Sequence, residues 1–137
     1  MKKNMIIAFA VMILQAVAVT AQTQKQTIAP IYTPEQVEQR AMFPGGQEGM
    51  MSYMMQNMKY PKEAEKDKAQ GTVMVHFVVE ADGSISDAHV PDSQKVHPAL
   101  DAAAVKFVKN MPKWKPARLN GKAVRQSASH VVAYRYQ

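Results

Sequence analysis

Valine or phenylalanine occupies every second position from residue 73 to residue 79, in alternation with Thr72, Met74, His76 and, after one further valine, Glu80. This period of two predicts a β-strand at residues 71–80 with one buried face. Asp82 and Gly83 follow, and because both tolerate positive φ they predict a hairpin turn. The partner strand is predicted at residues 84–90, where the apolar phase slips once. That slip predicts a β-bulge.

A helical period of apolar residues follows the hairpin. The helix is predicted to begin at Pro98, because proline suits the first helical position, with Asp101 favourably placed in the first turn. Pro112 ends it. The inward-facing stripe consists of Leu100, Ala104, Phe107, Val108 and Met111.

The last predicted strand covers residues 124–136, after a tight turn at Asn120 and Gly121. Large apolar residues recur at even positions near its end and several polar residues lie at odd positions, which predicts one buried and one exposed face. The even positions include Val132, Tyr134 and Tyr136, and the odd positions include Arg125, Ser127, Ser129 and Arg135.

A methionine-rich segment before the first strand is predicted to form another helix, which ends at Tyr60-Pro61. At about 100° per residue, its methionines form one apolar stripe. They are Met50, Met51, Met54, Met55 and Met58. The stripe is compatible with a buried core face, with a Cu(I) or Ag(I) site of thioether ligands, or with an exposed groove for peptides. We favour the core, because an amphipathic helix must bury its apolar side.

The predicted order is helix, hairpin, helix, strand. It indicates an α+β fold in which two helices pack on one face of a three-stranded antiparallel sheet. The polar residues 22–41, with Pro30 and Pro34, are predicted to be a linker that ends, as one option, in a short strand. The folded domain is then residues 42–137.

The N-terminal residues indicate export. Lys2 and Lys3 precede an apolar stretch at residues 5–14, and small residues at 19–21 suit signal cleavage. Residues 1–21 are therefore predicted to be a signal peptide, or else an uncleaved anchor, since residues 5–21 reach the short limit for a membrane span. The chain has no cysteine, so disulfides cannot support its fold. These features suit a bacterial periplasm, or the inner membrane if the anchor is retained.

Charge is unevenly distributed along the chain. Residues 22–101 carry seven basic and eleven acidic side chains, whereas residues 102–137 carry eight basic and no acidic ones. For an exported protein, the basic segment favours an acidic protein segment or an anionic envelope surface as partner, and not nucleic acid. A solvated basic face without a partner is the alternative.

Catalytic and cofactor motifs are missing from the sequence. His76, His89, His97 and His130 lack metal-ligand spacing, no serine lies in a nucleophile elbow, and Gly45-Gly46 lacks the other residues of a phosphate-binding loop. We therefore expect no enzyme, no cofactor and no metal site, but a binding or mechanical role.

Seven short motifs occur in one order along residues 42–137. They are Phe43-Pro44-Gly45-Gly46, Tyr60-Pro61, the strand that starts at Gly71, Asp82-Gly83-Ser84-Ile85, Pro98-Ala99-Leu100-Asp101, Met111-Pro112-Lys113-Trp114-Lys115-Pro116 and Asn120-Gly121-Lys122. Each is weakly specific alone. Together, at these spacings, they resemble the C-terminal domain of TonB, in the style common in Bacteroidetes.

This resemblance implies a function. Such a domain captures the TonB box, a short extended segment of a TonB-dependent outer-membrane receptor, as a strand added beside its own last strand, and so contributes to nutrient transport. The implied contacts on the last strand are Arg125, Ser127, Ser129, Val131, Ala133 and Arg135, and those before the first strand are Gln56, Asn57, Tyr60 and Pro61. Packing at the helix end is the alternative role for Tyr60.

The resemblance also implies roles for the methionines of the first predicted helix and for Trp114. The positions of Met50, Met54 and Met58 are usually Leu or Ile in the family, which favours the core interpretation and leaves Met51 and Met55 beside it. Trp114, the sole tryptophan, is implied to be a structural anchor where the second helix ends.

Two departures from an energy-transducing TonB argue against coupling to an inner-membrane motor. The spacer is about 20 residues, which reaches only about 70 Å when fully extended, and residues 5–21 contain no histidine. The remaining hypothesis is a free periplasmic TonB-like module that occupies receptor boxes, assists a complete TonB or binds another extended peptide. A homodimer through the same strand edge and a methionine-based Cu(I) or Ag(I) carrier are the competing hypotheses.

Overall fold

A five-stranded sheet organises the part of the chain that the computed structural model describes, residues 29–136. The compact unit begins at Ile31. Its elements in chain order are β1 (Ile31–Tyr32), α1 (Gly46–Asn57), α2 (Lys62–Lys66), β2 (Gly71–Val79), β3 (Ile85–His89), a 3-10 turn (Asp92–Gln94), α3 (Pro98–Lys109), β4 (Ala117–Leu119) and β5 (Lys122–Tyr134). The signal peptide or anchor predicted for residues 1–21 lies outside the described residues.

The strand order is β1-β5-β2-β3, with β4 also paired to β5. Strand β1 runs parallel to β5, and the other pairs are antiparallel. The α+β class predicted from the sequence is confirmed, but the predicted number of strands, three, is too small. The two additional strands, β1 and β4, have two and three residues. Segments this short carry no periodic pattern that a sequence could reveal.

The β2–β3 hairpin agrees closely with its prediction. Val73, Val75, Phe77 and Val79 are all buried. Gly83 has φ +89° in the turn, and the register shifts once between the two strands. Asp87, at φ +52°, lies in β3 within that shift, between the register partners Ser86 and His89. The predicted bulge is therefore present, and it bends the strand at one edge of the sheet.

Helix α3 covers one face of the sheet and contacts β2, β3 and β5. Its predicted inward residues, Leu100, Ala104, Phe107, Val108 and Met111, are all buried. His97 caps the helix by accepting a hydrogen bond from the backbone N–H of Ala99 at 3.1 Å. Asp101 lies in the first turn but is buried, and its carboxylate accepts from the N–H of Val96.

Helix α1 packs on the core through only part of its methionine stripe. Met50, Met54 and Met58 are half-buried against the core, whereas the exposed fractions of Met51 and Met55 are 68% and 86%. This division supports the core role for the first three. It leaves two exposed thioethers one helical turn apart.

Aromatic rings connect α1 to the rest of the core. The Tyr53 hydroxyl donates to the Phe107 carbonyl at 3.0 Å, and the two rings are 5.0 Å apart. Phe43 packs on Tyr53 and on Trp114, and Trp114 also meets Phe77 edge to face. These contacts support the role of structural anchor that the resemblance implies for Trp114.

Two further segments are also structured. The charged residues after Pro61 form the short helix α2. Within the predicted linker, β1 joins the sheet and Gln39 forms an antiparallel bridge with Arg118. Residues 31–41 are therefore held against the domain by backbone hydrogen bonds.

Candidate functional site

Within the described residues, much of the outer side of strand β5 has no paired strand. On its inner side, β5 pairs with β2 without interruption from Gln126 to Tyr134. Strand β4 pairs with Lys122–Val124, and β1 pairs with Arg125 and Gln126. Within residues 29–136, no further strand pairs with β5 beyond Gln126. We call residues 127–134 the open edge.

The side chains of the open edge carry no formal charge at neutral pH. The stretch reads Ser-Ala-Ser-His-Val-Val-Ala-Tyr. Ser129, Val131 and Ala133 are exposed on one face, while Val132 and Tyr134 are buried on the other. A long uncharged edge that presents unpaired N–H and C=O groups is a ready template for another strand.

The opposite edge of the sheet, β3, is less suited to strand addition. It has five residues, and the φ of +52° at Asp87 interrupts its extended backbone. Asp87 also places an exposed carboxylate on this edge. Bulges and charges are devices that protect edge strands from pairing. The two edges therefore differ, and the open edge of β5 is the accessible one.

Arg125 and Ser127 lie at the end of β5 whose outer side β1 partly covers. Arg125 pairs with Ile31, and its Nε donates to both carboxylate oxygens of Glu80, at 2.7 and 2.9 Å. The Ser127 hydroxyl donates to the carbonyl of Tyr32 at 3.4 Å. Arg125 is thus held within the domain, while Arg135 is exposed at the other end of the strand.

The residues before β2 have mixed environments. Gln56 and Asn57 are exposed at the end of α1, and the Asn57 side-chain amide donates to the Tyr53 carbonyl at 2.9 Å. The Tyr60 hydroxyl donates to the Ala69 carbonyl, and its ring packs edge to face on Tyr134, with 5.9 Å between ring centroids. Tyr60 therefore fixes the chain against the last strand, and this contact supports the packing role.

A cavity of about 330 Å³ brings several predicted residues together. Its lining includes Asn57 and Pro61, on either side of Tyr60, and Tyr134 at the end of the open edge. It also includes Lys59, Lys106 of α3 and Asn110, which caps the end of that helix. The spacing of four between Lys106 and Asn110 places them on one face. The floor is aromatic, formed by Tyr53, Phe107 and Tyr134.

Burial changes the ionisation of groups beneath this site. It raises the pKa of Tyr134 to about 12 and also raises the pKa of Tyr53. Burial lowers the pKa of His130, whose ring stacks on Phe107 and whose Nε2 is buried without a hydrogen-bond partner. These groups are neutral at physiological pH, so the cavity's charge comes from its lysines.

The described residues offer little that resembles a catalytic or multi-ligand metal centre. Between residues 29 and 136, no group of three or more His, Cys, Asp or Glu side chains is arranged to hold a metal ion. His97 caps α3 and contacts Asp67 at 2.9 Å. His76 and His89 face each other across β2 and β3. Over the same residues, no helix is long and apolar enough to cross a bilayer.

Comparison with known proteins identifies a family that this chain matches. Residues 56–136 match the family profile described as the Gram-negative bacterial TonB protein C-terminal. Two similar solved structures are NMR structures of the Helicobacter pylori TonB C-terminal domain. The first, of its residues 194–285, has 24% identity and a TM-score of 0.46, and covers 66% of this chain and 92% of that chain. The second, of its residues 179–285, has 23% identity and a TM-score of 0.42, and covers 64% and 78%. No match was found among curated proteins.

Proposed function

The chain belongs to the TonB C-terminal domain family of Gram-negative bacteria, and from that premise we propose that it binds the TonB box of an outer-membrane receptor. The box is added as an extended strand along the open edge of β5. Through this capture, the protein contributes to TonB-dependent transport of nutrients across the outer membrane. The single observation that carries the proposal is the unpaired outer side of β5 from Ser127 to Tyr134 within the described residues.

The backbone of β5 supplies the affinity in this proposal. Alternate residues of an edge strand direct their N–H and C=O groups outward, so a visiting strand forms a ladder of hydrogen bonds. Each such bond contributes about 0.5–1.5 kcal/mol net. Because β5 is already held on its inner side by β2, its backbone is ordered before a peptide arrives. This order reduces the entropy cost of binding.

The side chains around the edge supply the selectivity. Small exposed residues, Ser129 and Ala133, leave room beside the backbone for the side chains of an incoming strand. At the Tyr134 end, Lys59 and Lys106 border the cavity, and Arg135 is exposed nearby in sequence. We therefore propose that acidic residues of the peptide lie at this end. Arg125, which contacts Glu80, is not their partner.

A binding module that acts in this way is not an enzyme and needs no cofactor. We propose that the signal peptide predicted for residues 1–21 directs it to the periplasm, where the TonB boxes of outer-membrane receptors are accessible. Direct coupling to an inner-membrane motor is not part of the proposal. The module occupies receptor boxes or assists a complete TonB.

An N-methyl scan of a TonB-box peptide tests strand addition directly. We would titrate the ¹⁵N-labelled protein with the unmodified peptide and expect the largest amide shifts at residues 127–136. Peptides with a single N-methylated amide should then lose affinity at every second position, because only alternate N–H groups face β5. Equal tolerance at all positions, or shifts confined to β3, would contradict the proposal.

A matched pair of lysine variants tests the cavity. Lys106 borders it, whereas Lys109, one turn along the same helix, is exposed outside it. Lys106→Gln should weaken binding of a box peptide that ends in an acidic residue by about threefold, a change of the size expected for an exposed ion pair. Lys109→Gln should leave binding unchanged. An equal effect of both variants would indicate general charge attraction and not a subsite.

Self-association is a second candidate, since the same uncharged edge can pair with a copy of itself. Sedimentation at increasing protein concentration distinguishes the two functions. A dimer that dissociates when the peptide is added supports peptide capture by a shared edge. A dimer that the peptide does not affect supports a structural role.

A further inference from the structure

Two histidines face each other on the exposed side of the β2–β3 hairpin. His76 and His89 are register partners in the antiparallel pair, and their ring centroids lie 6.0 Å apart with an angle of 30° between the rings. Residues directly opposite in such a pair project to the same face of the sheet. The neighbours of His76 in β2, Val75 and Phe77, are buried in the core. The imidazoles therefore lie on the face away from that core.

Hydrogen bonds orient both rings. Nδ1 of His89 lies 2.8 Å from the carbonyl oxygen of Asp87, which can only accept, so Nδ1 carries the proton. Nε2 of His76 lies 3.2 Å from Oε1 of Gln94, and with the amide in this orientation Nε2 is the donor. The lone pairs then lie on Nε2 of His89 and Nδ1 of His76. Ligating histidines typically donate their second N–H to a carbonyl in this manner.

We propose that His76 and His89 form a two-imidazole site for an exchangeable divalent cation of the class that prefers nitrogen ligands, Cu²⁺, Ni²⁺ or Zn²⁺. An ion about 2.0–2.1 Å from one nitrogen of each ring places the two ring centroids about 5–6 Å apart, depending on the angle at the metal. The observed separation of 6.0 Å lies at the upper end of this range and is compatible with both rings contacting one ion.

The surroundings favour a cation at this position. The Asp87 carboxylate lies 3.8 Å from Nδ1 of His89 and adds negative potential beside the pair. Water completes the coordination, because two protein ligands are too few for a structural site. The bound ion is therefore labile. Among divalent first-row metals, the order of affinities for such ligands peaks at Cu²⁺, so Cu²⁺ is the most sensitive probe.

Titration of the full chain with Cu²⁺ alone tests the site. Because Cu²⁺ is paramagnetic, NMR signals near the bound ion broaden, and we expect broadening centred on the amides of β2 and β3 around His76 and His89. His76→Asn and His89→Asn should each weaken Cu²⁺ binding at least tenfold. Zn²⁺, which is diamagnetic, should shift the same amides without broadening.

A matched variant serves as the control. His97→Asn removes an imidazole elsewhere while Asn retains the helix cap. It should bind Cu²⁺ within about twofold of the parent. Broadening centred elsewhere, or binding unaffected by His76→Asn, would overturn the site. Peptide binding at the open edge, measured on the same samples, is independent of this outcome.

Discussion

Nε of Arg125 lies 2.7 Å from one carboxylate oxygen of Glu80 and 2.9 Å from the other. The pair connects Arg125, near the start of β5, to Glu80, just after the end of β2. The neighbouring residues Val79 and Gln126 are register partners. About a quarter of each side chain is exposed. The ion pair therefore fixes the start of β5 next to the part of its outer side that β1 covers.

Glu80→Gln should destabilise the domain. Hydrogen bonds to a charged partner contribute about 1.5–3 kcal/mol, and we expect the free energy of unfolding in urea to fall by about 1–3 kcal/mol. Lys113→Gln is the control, because its ammonium is 4.0 Å from Asp82 and largely exposed. That variant should change stability by less than about 0.5 kcal/mol. Equal losses of stability in the two variants would show that the Glu80 contact contributes no more than an exposed ion pair.

Two turn glycines should respond differently to alanine. Both have positive φ, but a Cβ on Gly83 would lie 2.1 Å from the carbonyl oxygen of Trp114, whereas nothing lies within 4 Å of a Cβ on Gly121. Gly121→Ala should cost only the left-handed backbone strain, about 1–2 kcal/mol. Gly83→Ala adds a backbone collision and should cost about 2–5 kcal/mol. Thermal unfolding of both variants measures the difference, and equal losses would contradict the close packing of Trp114 on the hairpin.

Substitution of two adjacent methionines of α1 should distinguish a core position from a surface position. Met54 is half-buried against the core, whereas Met55 is 86% exposed. We expect Met54→Ala to lower the free energy of unfolding by about 1–2 kcal/mol, part of the loss for a fully buried methionine. Met55→Ala should change it by less than about 0.5 kcal/mol. If Met55 proved the more costly position, the orientation of α1 described above would be wrong.

Asp82 should titrate below its ordinary range. The Ser84 hydroxyl and the Ser84 backbone N–H both donate to Oδ1, and these hydrogen bonds lower the pKa of Asp82. Since the folded state favours the carboxylate, this contribution is fully present above the ordinary pKa and is lost as pH falls through the lowered value. Ser84→Ala should raise the pKa of Asp82, as followed by carboxyl-carbon NMR. An unchanged titration would exclude the serine as the cause.

Tyr134 should weaken the domain at high pH. Burial raises the pKa of its phenol to about 12 from an ordinary value of 10. The folded state thus favours the protonated phenol, so its contribution is complete below pH 10 and is lost as pH rises through about 12. Denaturation in urea across this range should show stability falling. Tyr134→Phe should reduce that fall, and an equally steep fall in the variant would assign the effect to other groups.

The sequence anticipated those parts of the site whose conformation depends on local pattern. The odd-numbered residues of β5 are exposed at Ser129, Val131 and Ala133, as the period of two requires. The proximity of Asn57 and Pro61 to the end of β5 agrees with the resemblance, although their contact with a peptide stays a prediction. The sequence did not predict Lys106 as a site residue, because helical periodicity shows only that its side chain points away from the core. Its place beside Asn57 depends on how α1 and α3 pack.

The amino-acid sequence by itself determined the hairpin, the helix from Pro98 and the buried face of each long strand, because alternation, proline and positive-φ residues act through neighbours along the chain. Only the tertiary structure decided how much of β5 stays open. Residues 31–32 have no periodic signal, yet they pair with Arg125 and Gln126 and close that end of the edge. Their conformation depends on backbone hydrogen bonds to a strand distant in sequence, and a local pattern does not encode such a partner.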